Sequence, residues 1–281
     1  MLKHVNNSFN ALGEGIMANI KVETDIEYNN KFGLKMDVYQ DPSQISDQRR
    51  AIIDIHGGGW WLGYKEEETE WATEFAEAGY IVFVPNYRLA PDYVYPAAIE
   101  DLVNLYGWIK DSDYRFDRNK IGAVGMSSGG NLAIELSLRT GIPIASWSGI
   151  VDLDSWIENH PQVKASNATA PVPGTPVGEI NQVGSNDEYY KWFVLNYVNG
   201  DMNLLKEASL LNRIDSKAGP MFIANSLDEL VPMDGVLKLQ QRLTDLAIES
   251  VFQTVSGHGH GEIYMAHTQQ ATLAFFDDHF A

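Results

Sequence analysis

Two stretches near the start of the chain, Ile20–Tyr28 and Leu34–Tyr39, alternate apolar and polar side chains, and the turn-forming run Asn29-Asn30-Lys31-Phe32-Gly33 separates them. A period of two is the mark of a half-buried strand, so the pair predicts a β-hairpin. The pattern then changes. Ala51–Ile55 and Tyr80–Val84 are short continuous apolar runs, as expected of strands covered on both faces. Glu66–Gly79 reads as a helix stopped by its glycine. Pro96–Lys110 carries Ala97, Ile99, Leu102, Val103, Tyr106 and Ile109 at helical spacing. Strand and helix continue to alternate: Lys120–Val124, Asn131–Leu138, Ile142–Trp147, Met221–Ala224, Val236–Leu246, Ser250–Val255 and Glu262–Phe280.

A hairpin followed by strand–helix alternation implies an α/β fold, with a mostly parallel central sheet and helices on both faces. Two segments break the rhythm. Residues 1–19 are polar and irregular and read as an arm. Residues 150–200 contain the turn-rich run Pro171-Val172-Pro173-Gly174-Thr175-Pro176-Val177-Gly178 and, at Glu188–Val198, a short helix rich in aromatics. This stretch is too irregular to own a core. It is expected to be a small inserted lid on a single domain spanning 1–281.

Composition narrows the function. Apolar residues make up 44% of the 281 positions, enough for a substantial core. The net charge of −18 would repel a nucleic-acid backbone or an anionic membrane, so neither is an expected partner. With no cysteine, thiolate catalysis, disulfides and Cys-zinc sites are excluded. The first residues lack the apolar core of a signal peptide, and no run approaches the roughly 20 apolar residues of a membrane span. The expectation is a soluble, cytoplasmic protein; a homo-oligomer stays open.

The chemistry is concentrated at three glycine-rich turns. Gly125-Met126-Ser127-Ser128-Gly129 lies between an expected strand and an expected helix. A G-x-S-x-G run arises by chance in roughly one chain in ten of this length at ordinary glycine usage, so its context has to carry the argument. A serine on a tight strand-to-helix turn is lifted clear of the sheet, with a helix N-terminus facing the place where negative charge will form. His56-Gly57-Gly58-Gly59-Trp60 follows the Ala51–Ile55 strand directly, and its glycines let backbone N–H groups turn into a cavity. Gly257-His258-Gly259-His260-Gly261 precedes the last helix. Acyl transfer through serine needs a nucleophile, a base, a group orienting that base and donors for the oxyanion. The order Ser, then acid, then His is that of the α/β hydrolases. Ser127 is the candidate nucleophile and His260 the preferred base over His258. Asp228, where the Met221–Ala224 strand ends, is the preferred acid. Glu229 beside it and Asp152 and Asp154 after the preceding strand are the alternatives. A metal site at the two histidines would lack an acidic cluster, with only Glu262 nearby, and no metal or cofactor is expected.

His56-Gly57-Gly58-Gly59-Trp60, Tyr87-Arg88-Leu89-Ala90-Pro91, Pro96-Ala97-Ala98-Ile99-Glu100-Asp101 and Gly125-x-Ser127-x-Gly129-Gly130-Asn131-Leu132-Ala133 together resemble the hormone-sensitive-lipase-like branch of the α/β hydrolases, which holds carboxylesterases and acetyl esterases. The likeness runs from about residue 34 to the C-terminus and is weakest over 150–215. It implies that the N–H groups of Gly58, Gly59 and Ser128 form the oxyanion hole, with His56 supporting the loop. The chain departs from the family at Met126 and Ser128, where an acidic residue and an alanine are usual, and it leaves little room for an N-terminal helical cap. The implied activity is serine carboxylesterase action on short-chain, acetyl-type esters, with Trp60 and Trp61 as candidate substrate contacts. An aryl-formamide or other amide hydrolase is the alternative within enzymes, and a non-catalytic ligand-binding relative lies outside them.

Overall fold

The computed structural model describes residues 19–168, 170 and 186–281. Most of the N-terminal arm and the proline-rich run at 171–178 lie outside the described residues. The expected hairpin is β1 (Lys21–Asn29) and β2 (Leu34–Gln40), paired antiparallel. Next come β3 (Ala51–Ile55), α1 (Thr69–Glu77), β4 (Ile81–Pro85), α2 (Ala97–Asp111), β5 (Ile121–Met126), α3 (Ser128–Thr140) and β6 (Ile144–Trp147). The described parts of the 150–200 stretch hold α4 (Asp154–Asn159) and α5 (Asp187–Tyr197), and α6 (Met202–Ala208) follows. β7 (Met221–Ser226), α7 (Met233–Asp245), β8 (Ser250–Val255) and α8 (Met265–His279) complete the order.

One eight-stranded sheet runs β1-β2-β4-β3-β5-β6-β7-β8. β2 meets β4 antiparallel, and every pair from β4 to β8 is parallel. The uninterrupted apolar strands divide their side chains between two cores. Ile52, Val82, Val124, Ala145 and Phe222 face α1 and α8 through Trp71, Phe75 and Phe276. Ile53, Phe83, Ala123, Ile144 and Ile223 face the other way, toward α2, α3 and α7. Burial on both faces is why these strands read as apolar runs while β1, at the sheet edge, alternates.

In the described parts of the insertion, aromatic and apolar side chains turn inward. Trp156, Tyr189, Tyr190, Phe193, Val194 and Tyr197 are buried and join the larger core. α4 and α6 were not read from sequence: six and seven residues are too short for periodicity to register. Among the described residues, no helix is long and apolar enough to cross a membrane.

This topology positions the site. From β3 the chain steps to β4 on one side, and from β5 it steps to β6 on the other, so the strand order reverses between β3 and β5. Loops at the carboxyl ends of strands on either side of such a reversal diverge and leave a crevice. Ile55 pairs with Gly125, Met126 with Trp147, Trp147 with Ala224 and Ser226 with Val255. The loops after β3, β5, β6, β7 and β8 therefore leave from one edge of the sheet.

Candidate active site

Ser127 sits between β5 and α3 at φ 54°, ψ −123°. This left-handed backbone is uncommon for a side-chain-bearing residue and is held by its surroundings. The Ser127 N–H donates to Trp147 O at 2.8 Å, and its carbonyl accepts from Asn131 N–H at 3.1 Å. The turn tolerates no bulk: a Cβ on Gly129 would lie 2.1 Å from Ile55 O. α3 begins at Ser128, not at Asn131 as the sequence pattern predicts, which puts its positive end directly at the serine.

The loop after β3 packs against this elbow, with the Cβ position of Gly57 3.5 Å from Ser127 Cβ. Gly58 has φ 104°, and a Cβ there would stand 2.2 Å from Leu62 O. The Gly58 carbonyl accepts from the Trp61 and Leu62 N–H groups. Among the described residues, the N–H groups of Gly58 and Gly59 have no acceptor. His56 braces the loop from beneath. It is 1% exposed, lies 4.1 Å from the Tyr87 ring in parallel stacking, and bonds Gly57 O through Nδ1 at 2.8 Å. Desolvation pushes its pKa down to about 4, so the ring is neutral and Nδ1–H is the donor. Tyr87 Oη donates to His56 O at 2.9 Å. Arg88, the next residue, is tied through Nη2 to the fully buried Asp101 at 2.8 Å.

The candidate base and its partner are buried together. His260 Nδ1 lies 2.6 Å from Glu229 Oε2, and the two side chains are 2% and 0% exposed. Glu229 Oε1 accepts from Ser226 N–H at 2.9 Å and Asn225 Nδ2 at 3.2 Å. Asp228, the acid preferred from sequence, does not meet His260. It is 57% exposed and pairs with His258 at 3.1 Å. The reason lies in the backbone after β7. Leu227 N–H and Asp228 N–H donate to Val255 O and Gly257 O, which extends the pairing with the β8 side and turns the Asp228 side chain outward. The chain then folds back so that Glu229 reaches its own strand end. Asp152 is paired with Lys238, and Asp154 accepts from Asn212; neither reaches His260.

Two residues that the sequence reading passed over hold the His260 loop. Gly261 N–H donates to Ser148 Oγ at 2.9 Å, Ser148 Oγ lies 2.6 Å from Tyr264 Oη, and Tyr264 Oη donates to Ala224 O. Tyr264 is three residues beyond Gly261 and looks in sequence like an ordinary helix aromatic. Met126 fills the space beneath: a Cβ on Gly261 would be 2.8 Å from its sulfur.

The two tryptophans separate. Trp60 is 0% exposed and stacks on Tyr197 at 4.1 Å. It therefore pins α5 to the glycine loop after β3 and does not line a substrate surface. Trp61 is half-buried, donates to Tyr189 Oη at 3.2 Å and meets Trp192 edge-on at 4.8 Å. Phe193 and Trp61 both lie against Gly59. Among the described residues, no group of His, Asp and Glu is arranged to hold a metal ion.

The sheet order and elbow are those of the α/β hydrolases. A carbohydrate esterase from gut microbiota, in truncated form, superposes with a TM-score of 0.74 at 18% identity, covering 96% of this chain and 99% of that one. An esterase of Pyrobaculum calidifontis does so with a TM-score of 0.72 at 21% identity, covering 93% and 86%. The chain belongs to the BD-FAE family, whose model matches residues 36–243. Two curated relatives are arylacetamide deacetylase of Bos taurus, 32% identical over 145 residues, and arylesterase of Saccharolobus solfataricus, 33% identical over 113. These matches cover 43% and 37% of this chain, and only 36% and 37% of the relatives' own lengths.

Proposed function

We propose that this protein is a serine carboxylesterase acting on short-chain acyl esters, with Ser127 as nucleophile, His260 as base and Glu229 as the orienting acid. The observation that carries the reading is the buried His260–Glu229 pair, on the same sheet edge as a serine held at positive φ. Glu229 accepts a hydrogen bond from the Nδ1–H of His260, which leaves Nε2 free to accept the Ser127 hydroxyl proton. The alkoxide attacks the ester carbonyl. The oxyanion forms against the Gly58 and Gly59 N–H groups, which have no acceptor among the described residues, and against the N–H of Ser128 at the start of α3. Protonated His260 then gives its proton to the leaving alcohol, and water, activated by the same imidazole, releases the acid.

Short acyl groups are favoured because Phe193 and Trp61 stand against Gly59, beside the loop that would hold the carbonyl oxygen. The relatives named as esterases support the ester-hydrolase class. Arylacetamide deacetylase, by its name, keeps amide substrates in view. Labelling with a fluorophosphonate probe is expected in the wild type and absent in Ser127→Ala, which should also lose at least about 10³-fold in kcat. Wild-type activity in Ser127→Ala would end this reading. A panel of acetyl to long-chain aryl esters, acetylated sugars and aryl amides decides acyl length and ester against amide. A preference for long acyl chains would overturn the short-chain assignment.

A further inference from the structure

Two buried hydroxyls hold the peptides on either side of His260 and take no part in the proton transfers above. Ser226, the last residue of β7, and Ser148, the residue after β6, are each 0% exposed. Ser226 Oγ donates to the carbonyl of Gly259. Ser148 Oγ accepts from the Gly261 N–H at 2.9 Å. The histidine is thus bracketed by one bond on each flank. Ser226 has a second contact, because its N–H donates to Glu229 Oε1 at 2.9 Å.

We propose that Ser226 and Ser148 are positioning residues that set the His260 imidazole against Glu229 and aim its Nε2 at the nucleophile. Ser226 does so by binding the acid and the histidine loop at once, and Ser148 does so as part of an oriented chain of hydroxyls. The inference rests on the esterase reading of the same site.

The direction of that chain follows from what each group can give. The Ala224 carbonyl can only accept, and it takes the Ser148 N–H at 2.8 Å and Tyr264 Oη at 2.9 Å. The single proton of Tyr264 is thereby committed. Tyr264 Oη must then accept from the Ser148 hydroxyl, 2.6 Å away. That commits the Ser148 proton in turn, so Ser148 Oγ presents only lone pairs to the Gly261 N–H. Each bond fixes the next, and no hydroxyl is free to rotate.

The backbone supports the same assignment. Ser148 is held at φ 51°, where a glycine would sit without strain. The strained conformation places its hydroxyl between Tyr264 and Gly261. Trp147 pairs with Ala224, so the two serines leave from the ends of neighbouring strands. The sheet is therefore the rigid frame from which His260 is held, and the flanking bonds transmit that rigidity to a loop.

The test combines kinetics with proton NMR on the full chain. The His260 Nδ1–H, 2.6 Å from donor to carboxylate oxygen, should give a far-downfield resonance, assigned by its loss in His260→Ala. Ser226→Ala and Ser148→Ala should each lower kcat by about 10- to 100-fold, as expected when a catalytic group is displaced by about 1 Å. KM should stay within about two-fold, and the downfield resonance should move upfield or broaden. Ser226→Thr, which keeps the hydroxyl, should recover most of the Ser226→Ala loss. Tyr264→Phe removes a single oxygen from the chain, so it should lower kcat and move the resonance in the same direction. Wild-type kcat in either alanine variant, or an unmoved resonance in either, would overturn the proposal. If an alanine variant fails to fold, Tyr264→Phe decides by the same two readouts. The resonance is read without turnover and should persist in Ser127→Ala, so it tests the clamp even if Ser127→Ala overturns the esterase reading.

Discussion

Two adjacent acids, Asp228 and Glu229, each face a histidine, and only one of the two pairs is dry. Glu229 and His260 are shielded from solvent, whereas Asp228 and His258 are each more than half exposed. An exposed pair is screened and contributes little, whereas the buried pair can hold one tautomer through a catalytic cycle. Glu229→Gln should therefore lower kcat by about 10³- to 10⁴-fold, in line with the amide replacement of a triad acid in serine proteases. Asp228→Asn should stay within about three-fold of wild type, because its partner is in water. Steady-state kinetics of the two variants checks this, and the reverse ranking would restore Asp228.

His56 allows a stability prediction at the same scale. Its folded-state pKa of about 4 lies below the value near 6.5 of an unfolded histidine. Between those values the unfolded chain binds a proton that the folded protein refuses. The contribution of His56 is thus fully present above about pH 6.5 and is lost as pH falls toward 4, by roughly 3 kcal/mol. Denaturant midpoints at about pH 7 and about pH 5 should fall further for wild type than for His56→Asn. Equal falls would mean that His56 titrates alike in both states.

At the scale of elements, the glycine loop after β3 depends on neighbours far away in sequence. Trp60 ties it to α5 by stacking on Tyr197, and Tyr87 supports it from the loop after β4. That second loop is held to α2 by Arg88 and Asp101, the latter 0% exposed, with the Arg88 N–H also donating to Asp101 Oδ2 at 2.9 Å. Removing one member of a buried ion pair strands the other. Asp101→Ala should cost about 3–5 kcal/mol of stability, and activity should fall with it as Tyr87 loses its footing. Thermal melts alongside kcat test this; a stable, inactive variant would assign Asp101 a role in chemistry instead.

For the whole molecule, the net charge of −18 acts on substrates before they reach the site. An ester bearing a negative charge should be turned over slowly at low ionic strength, and its kcat/KM should rise several-fold as salt screens the repulsion. A neutral ester of the same acyl group should show no such rise. A salt-independent ratio between the two would mean that the acidic surface lies away from the approach path.

The strand–helix order, the hairpin and the three glycine turns were legible because each rests on local physics. Ala51–Ile55 is apolar throughout because both faces are covered, and Gly129 is glycine because Ile55 O occupies the space a side chain would need. The serine, the glycine loop and the pair of histidines could therefore be named from residues alone. Two things could not be. Asp228 and Glu229 are neighbours with the same chemistry, and a turn of the backbone, set by bonds to Val255 and Gly257, decides which one faces inward. Trp60 and Trp61 are likewise identical in kind, and only the position of α5 shows that one is core and the other a half-buried wall. The sequence by itself determined the architecture and which chemical groups stand near the sheet's carboxyl edge, because periodicity and steric demand act locally. Which of those groups are buried and paired was decided by the tertiary structure, because burial and pairing depend on contacts between distant segments.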